Sequence, residues 1–263
     1  MNREILVENC LSVQYKLLSG MYFDSKKDTE NYVLCSSMVM TDEFWNTAYL
    51  KKKIDMNILK ALEKEFADIK RTSSIYIGRD TDVYYEENRN LLLSNGYVLN
   101  DEDVFMALVD VKKVEIVVNI KVVENEKEYN DFMKVLESAY NDTVENATDN
   151  VYANVVTECY YNAIKNTINS NEHIHIIAYD DNVPVSVATL NYIDGIGGIN
   201  NVGTAQGHWN KGYGKQVMAY LINTFEELGG EILTLNTKYQ SKNQLFYEKL
   251  SFKEKYVIEQ YTK

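Results

Sequence analysis

The sequence predicts an α/β protein of the α+β kind, with a mixed, mostly antiparallel central sheet flanked by helices and built from two related halves. Three observations carry that expectation. The runs VKKVEIVVNIKVV, EHIHIIAY, VPVSVATLNY, IGGINNVGT and EILTLNT are β-branched or alternating, as strands are. Between them lie runs of helical period, with Tyr129, Phe132, Val135, Leu136 and Tyr140 in one and Val217, Leu221, Phe225 and Leu228 in another. The first half also echoes the last part. ALEKEFADIK resembles LINTFEEL, SSIYIGR resembles EILTLNT, LLLSNGYV resembles FYEKLSFK, and VFMALV resembles VIEQYT. The separations are 159 residues (Phe66 to Phe225), 157 (Ile75 to Ile232) and 155 (Tyr97 to Phe252), a drift that loop lengths account for. A repeat this long suggests a duplicated domain rather than a solenoid.

Along the chain, the pattern shifts near Val111–Val114, where MALVD gives way to a strand-like run. EKEYNDFMKVLESAY follows as a helix, and a second helix is expected from about Val151 to Ile168. EHIHIIAY and VPVSVATLNY read as a hairpin turned at Asp180-Asp181-Asn182, and IGGINNVGT as the next strand. HWNKGYG is too rich in glycine and polar residues for a strand and reads as a loop running into the helix KQVMAYLINTFEEL, which Gly229 and Gly230 end. After the strand EILTLNT, Ser241 to Gln244 has the form of a capping box and opens a short helix, NQLFYEKL. The tail FKEKYVIEQYTK reads as one or two closing strands.

The 263 residues are 45% apolar, enough for a real core and against disorder. Lys and Arg number 27 against 39 Asp and Glu, a net charge of −12. That charge argues against a nucleic-acid or anionic-membrane surface and leaves cationic partners such as amines as easier guests. No apolar run approaches the roughly 20 residues of a membrane helix, and the first twenty residues lack a signal-peptide core. The three cysteines, Cys10, Cys35 and Cys159, are odd in number and far apart, and only three histidines are present. No metal site is expected, and a reducing cytoplasm is the expected location.

The most informative segment is the loop Trp209-Asn210-Lys211-Gly212-Tyr213-Gly214 between a strand and a helix. Its glycines allow close approach of backbone to a ligand, and the helix start offers unpaired N–H groups and a positive dipole end, together a cradle for phosphate oxygens. It is neither a Walker loop nor a dinucleotide fingerprint, since no Gly-Lys-Ser/Thr follows and the preceding strands form hairpins. A tight turn is the plain structural alternative. Local charge favours the anion reading: from His208 to Lys263 there are eight Lys and six Glu, a local +2 that leaves −14 on the rest. The first half has no glycine between Gly20 and Gly78, so nothing like NKGYG precedes its own helix.

With these residues in view, the order hairpin, strand, GxG loop, helix, strand and short helix resembles the GNAT acetyltransferase family. VGTAQGHWNKGYGKQVMAYLI, ILTLNT and NQLFYEKLSF carry the resemblance, which covers about Val114 to Lys263. The first half, with EFWNTAYL, IYIGRDT and LLLSNGYVLNDEDVFMALVD, is similar to the shortened N-terminal half of tandem members. The implied domains are a degenerate GNAT-like half at 1–112 and the acetyltransferase domain at 113–263. The implied activity is transfer of acetyl from acetyl-CoA to a primary amine, here of a small molecule. The implied coenzyme residues are Val202, Gly203 and Thr204 along the pantetheine arm, Trp209, Asn210, Lys211, Gly212, Tyr213, Gly214 and Lys215 at the pyrophosphate, and Asn243 on the arm. The resemblance makes Tyr247 the acid that protonates the departing thiolate, the alternative being a core tyrosine beside Phe246 and Leu250.

Two positions depart from the family pattern. Trp209 stands where Arg or Gln is usual, removing one side-chain contact to phosphate. Ser251 stands where the family has Gly before the final Phe; a positive φ there costs serine roughly 1 kcal/mol. The general base is open among Glu158, Asp194, His175, His208 and a water chain, with His175 reading as a structural residue of an apolar strand. Two other functions fit the same motifs: a coenzyme-binding module without catalysis, and acylation of a protein amine.

Overall fold

The computed structural model describes residues 14–79, 83–111, 114–140 and 158–263. In chain order its elements are β1 (Ser25–Asp28), β2 (Tyr32–Ser36), β3 (Thr47–Leu50), α1 (Met56–Asp68), β4 (Ser74–Gly78), α2 (Tyr85–Ser94), β5 (Val98–Leu108), β6 (Asn119–Val122), α3 (Glu126–Tyr140), α4 (Glu158–Thr167), β7 (His173–Asp180), β8 (Val183–Ile193), β9 (Ile196–Thr204), α5 (Tyr213–Glu227), β10 (Ile232–Lys238), α6 (Lys242–Lys249) and β11 (Phe252–Thr262). The mixed α/β class follows the sequence expectation. Residues 114–118 are not strand, so the β-branched run yields only the four residues of β6. The expected helix from Val151 is seen from Glu158, its first residues lying outside those described. No helix among the described residues is long and apolar enough to cross a membrane.

The chain forms two compact units, and they are discontinuous. Residues 1–107 join 236–263 in the first, and 108–235 form the second. The sequence reading divides the chain once, at 112/113; the units divide at 107/108 and again at 235/236.

In the first unit, β1 to β3 form an antiparallel meander, and α1 carries the chain to β4, parallel to β3. The last strand returns to this unit: β11 runs antiparallel to β4, from Ile258 opposite Gly78 to Thr262 opposite Ser74. Leu59, Leu62 and Phe66, spaced three and four apart on α1, pack with Ile75 and Ile77 of β4 and Leu92 of α2. Two carboxyls elsewhere in this unit are shifted upward. Burial, with Asp101 nearby, pushes Asp103 up to about 7, and burial pushes Asp42 up to about 6.

The second unit is built on the order β6-β7-β8-β9-β10, antiparallel up to β9 and parallel between β9 and β10 across α5. Both hairpins turn through two residues of positive φ, Asp181-Asn182 (46° and 70°) and Asp194-Gly195 (51° and 81°), the handedness that matches strand twist. The core draws on Phe132, Met133 and Leu136 of α3, Ile176 and Ile177 of β7, Val187 and Leu190 of β8, and Leu221 and Phe225 of α5.

Helix ends repeat at the separations read from the sequence. After α1, Arg71 N donates to Phe66 O (2.9 Å) and Lys70 N to Ala67 O (3.0 Å), with Lys70 at φ 55°. After α5, 159 residues on, Gly230 N donates to Phe225 O (2.9 Å) and Gly229 N to Glu226 O (2.9 Å), with Gly229 at φ 74°. Both are six-to-one helix stops with a left-handed residue. Gly96 after α2 and Ser251 after α6 also correspond, at φ 86° and 71°. Ser251 therefore occupies the left-handed region that its sequence position suggested.

Candidate functional site

The strand β9 is irregular where the sequence places its functional residues. Val187 lies opposite Gly203 and Thr189 opposite Asn200, so Ala188 alone faces Asn201 and Val202. The extra residue is a bulge, and Asn201 takes φ 53° to make it. Glycine is required just beyond: a Cβ on Gly203 would lie 2.8 Å from Ala139 Cβ of α3. The parallel ladder with β10 covers only Ile196–Gly198, so from Ile199 to Thr204 β9 keeps β8 as its ladder partner.

Peptide orientation on this stretch follows from its hydrogen bonds. Gly203 O accepts from Ser186 Oγ of β8 at 2.8 Å. The trans peptide then directs the N–H of Thr204 away from β8, toward the edge that β10 has left. Val202 O accepts from Tyr140 Oη (2.9 Å), and Thr204 O accepts from Trp209 Nε1 (2.7 Å). Among the described residues no strand pairs with this edge beyond Gly198, and the Thr204 N–H on it could donate to a carbonyl oxygen of an extended ligand.

The loop after β9 is tied at its start and open at its end. Ala205 N donates to Val185 O (2.9 Å), Gln206 N to Ser138 Oγ (3.0 Å) and His208 N to Ala205 O (3.0 Å). Gly207, Asn210 and Gly212 all adopt positive φ, at 82°, 61° and 90°. Gly212 is the residue before α5, and among the described residues no side chain caps the helix there. The first intrahelical bond of the turn is Gln216 N to Gly212 O (3.2 Å), which leaves the N–H groups of Tyr213, Gly214 and Lys215 outside the helical ladder. The first turn holds no acidic residue, and Lys211 and Lys215 are exposed beside it. Uncapped donors, a positive dipole end and two lysines fit a phosphate group of a ligand such as coenzyme A.

Val202, Gly203, Thr204 and Trp209 to Lys215 thus fall together in the second unit. The Trp209 indole N–H bonds its own strand, so its role here is to staple the loop to β9. Tyr213 Oη bonds Asp180 Oδ2, and that bond holds its phenol above the usual range. Asn243 and Tyr247 lie on α6, in the first unit. Ser241 Oγ accepts from Gln244 N (3.1 Å) as the capping box predicts, and Gln244 Oε1 returns to Gln240 N (2.7 Å), one residue before the cap. Asn243 is exposed; the buried Tyr247 ring meets Phe246 and Phe252 edge-on.

Of the base candidates, His175 is buried between Thr167 Oγ1 and Thr189 Oγ1, both at 2.9 Å. Burial, with His173 adding to it, pulls its imidazole down to about 3. Asp194 sits in the turn at the far end of β9, nine residues and so roughly 30 Å from Gly203. Glu158 is exposed at the start of α4. His208 lies on the loop itself, its ring 6.0 Å from that of Tyr213, and its buried Nδ1 has no hydrogen-bond partner among the described residues.

A family model described as the acetyltransferase (GNAT) family matches residues 136–252, from the last turn of α3 to the start of β11. A comparison with curated proteins finds no match. Among solved structures, the chain is similar to a GCN5-related N-acetyltransferase from Kribbella flavida at 17% identity, over 96% of this chain and 94% of that one, with a TM-score of 0.66. It is similar at 15% identity, over 95% and 96% and with a TM-score of 0.66, to a conserved protein of unknown function from Staphylococcus epidermidis. A GCN5-related N-acetyltransferase from Sphaerobacter thermophilus aligns at 11% identity over 91% and 82%, with a TM-score of 0.64. At such identities the likeness is one of fold.

Proposed function

From the match of residues 136–252 to the GNAT acetyltransferase family, we propose that the chain transfers the acetyl group of acetyl-CoA directly to the primary amine of a small molecule. The observation that carries this reading is the uncapped start of α5 behind Gly212, together with the stretch of β9 beyond its ladder with β10. The pyrophosphate is received by the N–H groups of Tyr213, Gly214 and Lys215, and the pantetheine arm pairs with β9. The Thr204 N–H polarises the thioester carbonyl. The amine nitrogen attacks the carbonyl carbon, the C–S bond of the tetrahedral intermediate breaks, and the amide and the coenzyme thiol leave after one proton passes from nitrogen to sulfur. The chain's net charge of −12 suits a cationic acceptor.

The test is release of free coenzyme thiol from acetyl-CoA in the presence of a panel of small amines. Amine-dependent release is expected; acetyl-CoA binding without turnover on any amine would return the chain to a binding module. On the resemblance alone, Tyr247 is the proton donor. Tyr247→Phe is then expected to lower kcat by about 10²–10⁴-fold with coenzyme affinity nearly unchanged.

A further inference from the structure

We propose that a buried hydrogen-bond chain running from the bulge of β9 through His175 to helix α4 is a positioning device for the transfer step, holding the Thr204 N–H where the thioester carbonyl is received. It rests on the acyl-transfer reading of the same strand. Its members lie on four neighbouring elements of one unit. Asn201 Nδ2 donates to Thr189 Oγ1 (3.2 Å), Thr189 Oγ1 meets His175 Nδ1 (2.9 Å), and His175 Nε2 meets Thr167 Oγ1 (2.9 Å). Thr167 Oγ1 ends the chain against the carbonyls of Ala163 (3.1 Å) and Ile164 (3.0 Å).

Donor and acceptor chemistry sets every direction in this chain. A carbonyl only accepts, so the Thr167 hydroxyl hydrogen goes to α4, and its oxygen must receive the hydrogen of His175 Nε2. A neutral imidazole protonated at Nε2 accepts at Nδ1, so the Thr189 hydroxyl donates there. The Thr189 oxygen is then left to accept from the Asn201 amide. One tautomer of a neutral ring satisfies all four residues. An imidazolium would donate at both nitrogens and leave the Thr189 hydrogen without this acceptor. His175 is 1% exposed, which favours the neutral form this chain requires.

What the chain anchors explains why so polar a line is kept in an apolar core. Asn201 is the bulge residue at φ 53°, a conformation asparagine tolerates better than most side chains. The bulge sets the alternation of the next residues, and with it the side of the strand to which Thr204 N–H points. A bulge tied only through its backbone is free to rock. Tied through Asn201 to helix α4 two strands away, it is held in one orientation, and a donor to a developing oxyanion gains from such preorganisation.

Thr189→Val tests this, since it keeps shape and removes the hydroxyl on which both bonds turn. It is expected to lower kcat about tenfold or more while acetyl-CoA affinity stays within about twofold, and Thr189→Ser is expected to restore kcat. A readout that needs no turnover accompanies it. In protein without coenzyme, ring ¹⁵N shifts should show His175 protonated at Nε2. The Thr204 amide resonance should move in Thr189→Val and return in Thr189→Ser. If the wild-type protein transfers no acetyl group, the proposed activity fails, and the Thr204 resonance still decides whether the chain positions the strand. An unmoved Thr204 amide, or a Thr189→Val protein with only a lower melting temperature and full kcat, overturns the inference.

Discussion

Helices α1 and α5 end alike and begin differently. Each follows a strand, each buries a phenylalanine near its end (Phe66 and Phe225), and each stops in the same left-handed pattern. At the start of α1, Asp55 Oδ1 accepts from Asn57 N and Ile58 N, both at 2.9 Å. An anion belonging to the chain already sits on that helix dipole. At the start of α5 stands Gly212 at φ 90° with no side-chain cap. Two helices of one pattern thus differ in whether the chain itself fills the anion position. On the proposed function, that difference leaves the start of α5, and not that of α1, to the ligand.

The sharpest way to break the comparison is Gly212→Val. A β-branched side chain in the left-handed region strains the turn and covers the amides, so coenzyme affinity should fall at least about 100-fold by calorimetry. The helix end after Gly229 should stay intact by amide exchange. Unchanged affinity would make the open helix start irrelevant.

Acid separates the two units next. His175 in the second unit has its imidazole lowered to about 3, so below about pH 6.5 the unfolded chain takes up a proton that the folded one refuses. Stability there should fall by about 1.4 kcal/mol per pH unit. In the first unit, Asp103 and Asp42 are raised to about 7 and about 6, so the folded form takes up protons first as pH falls toward about 4, and stability there should rise. Amide exchange corrected for its intrinsic pH dependence should show β8 losing protection and β4 gaining it between about pH 7.5 and about pH 5. Parallel changes in both units would contradict the assignment.

Lys215→Glu makes α5 resemble α1 electrostatically. Coenzyme affinity is expected to drop up to about tenfold, with a small rise in melting temperature from the dipole. The complementary change, Asp55→Ala, should cost about 1 kcal/mol of stability in urea unfolding and leave coenzyme affinity unaltered.

How much of this was legible in the sequence depends on the range of the interactions. The loop before α5, the two-residue turn at Asp181-Asn182 and the Ser241 cap are local, and a few consecutive residue types specify them. The left-handed stop after α5 was visible too, because Gly229 marks it. The bulge at Asn201 was not, since it exists only in the register of β9 against β8. The partners of His175 come from residues 8 and 14 positions away and need the folded sheet to meet. The second boundary, at 235/236, arises because β11 pairs with β4, some 180 residues earlier in the chain, a choice no local pattern announces. Asp55 was within reach: an Asp just before a helical run is a cap signal.

Calorimetric titration with acetyl-CoA addresses the central contrast most directly. With α1 closed by its own carboxylate and α5 open, one coenzyme is expected per chain, with binding abolished in Gly212→Val and intact in Asp55→Ala. Two equivalent sites, or full affinity in Gly212→Val, would contradict the account.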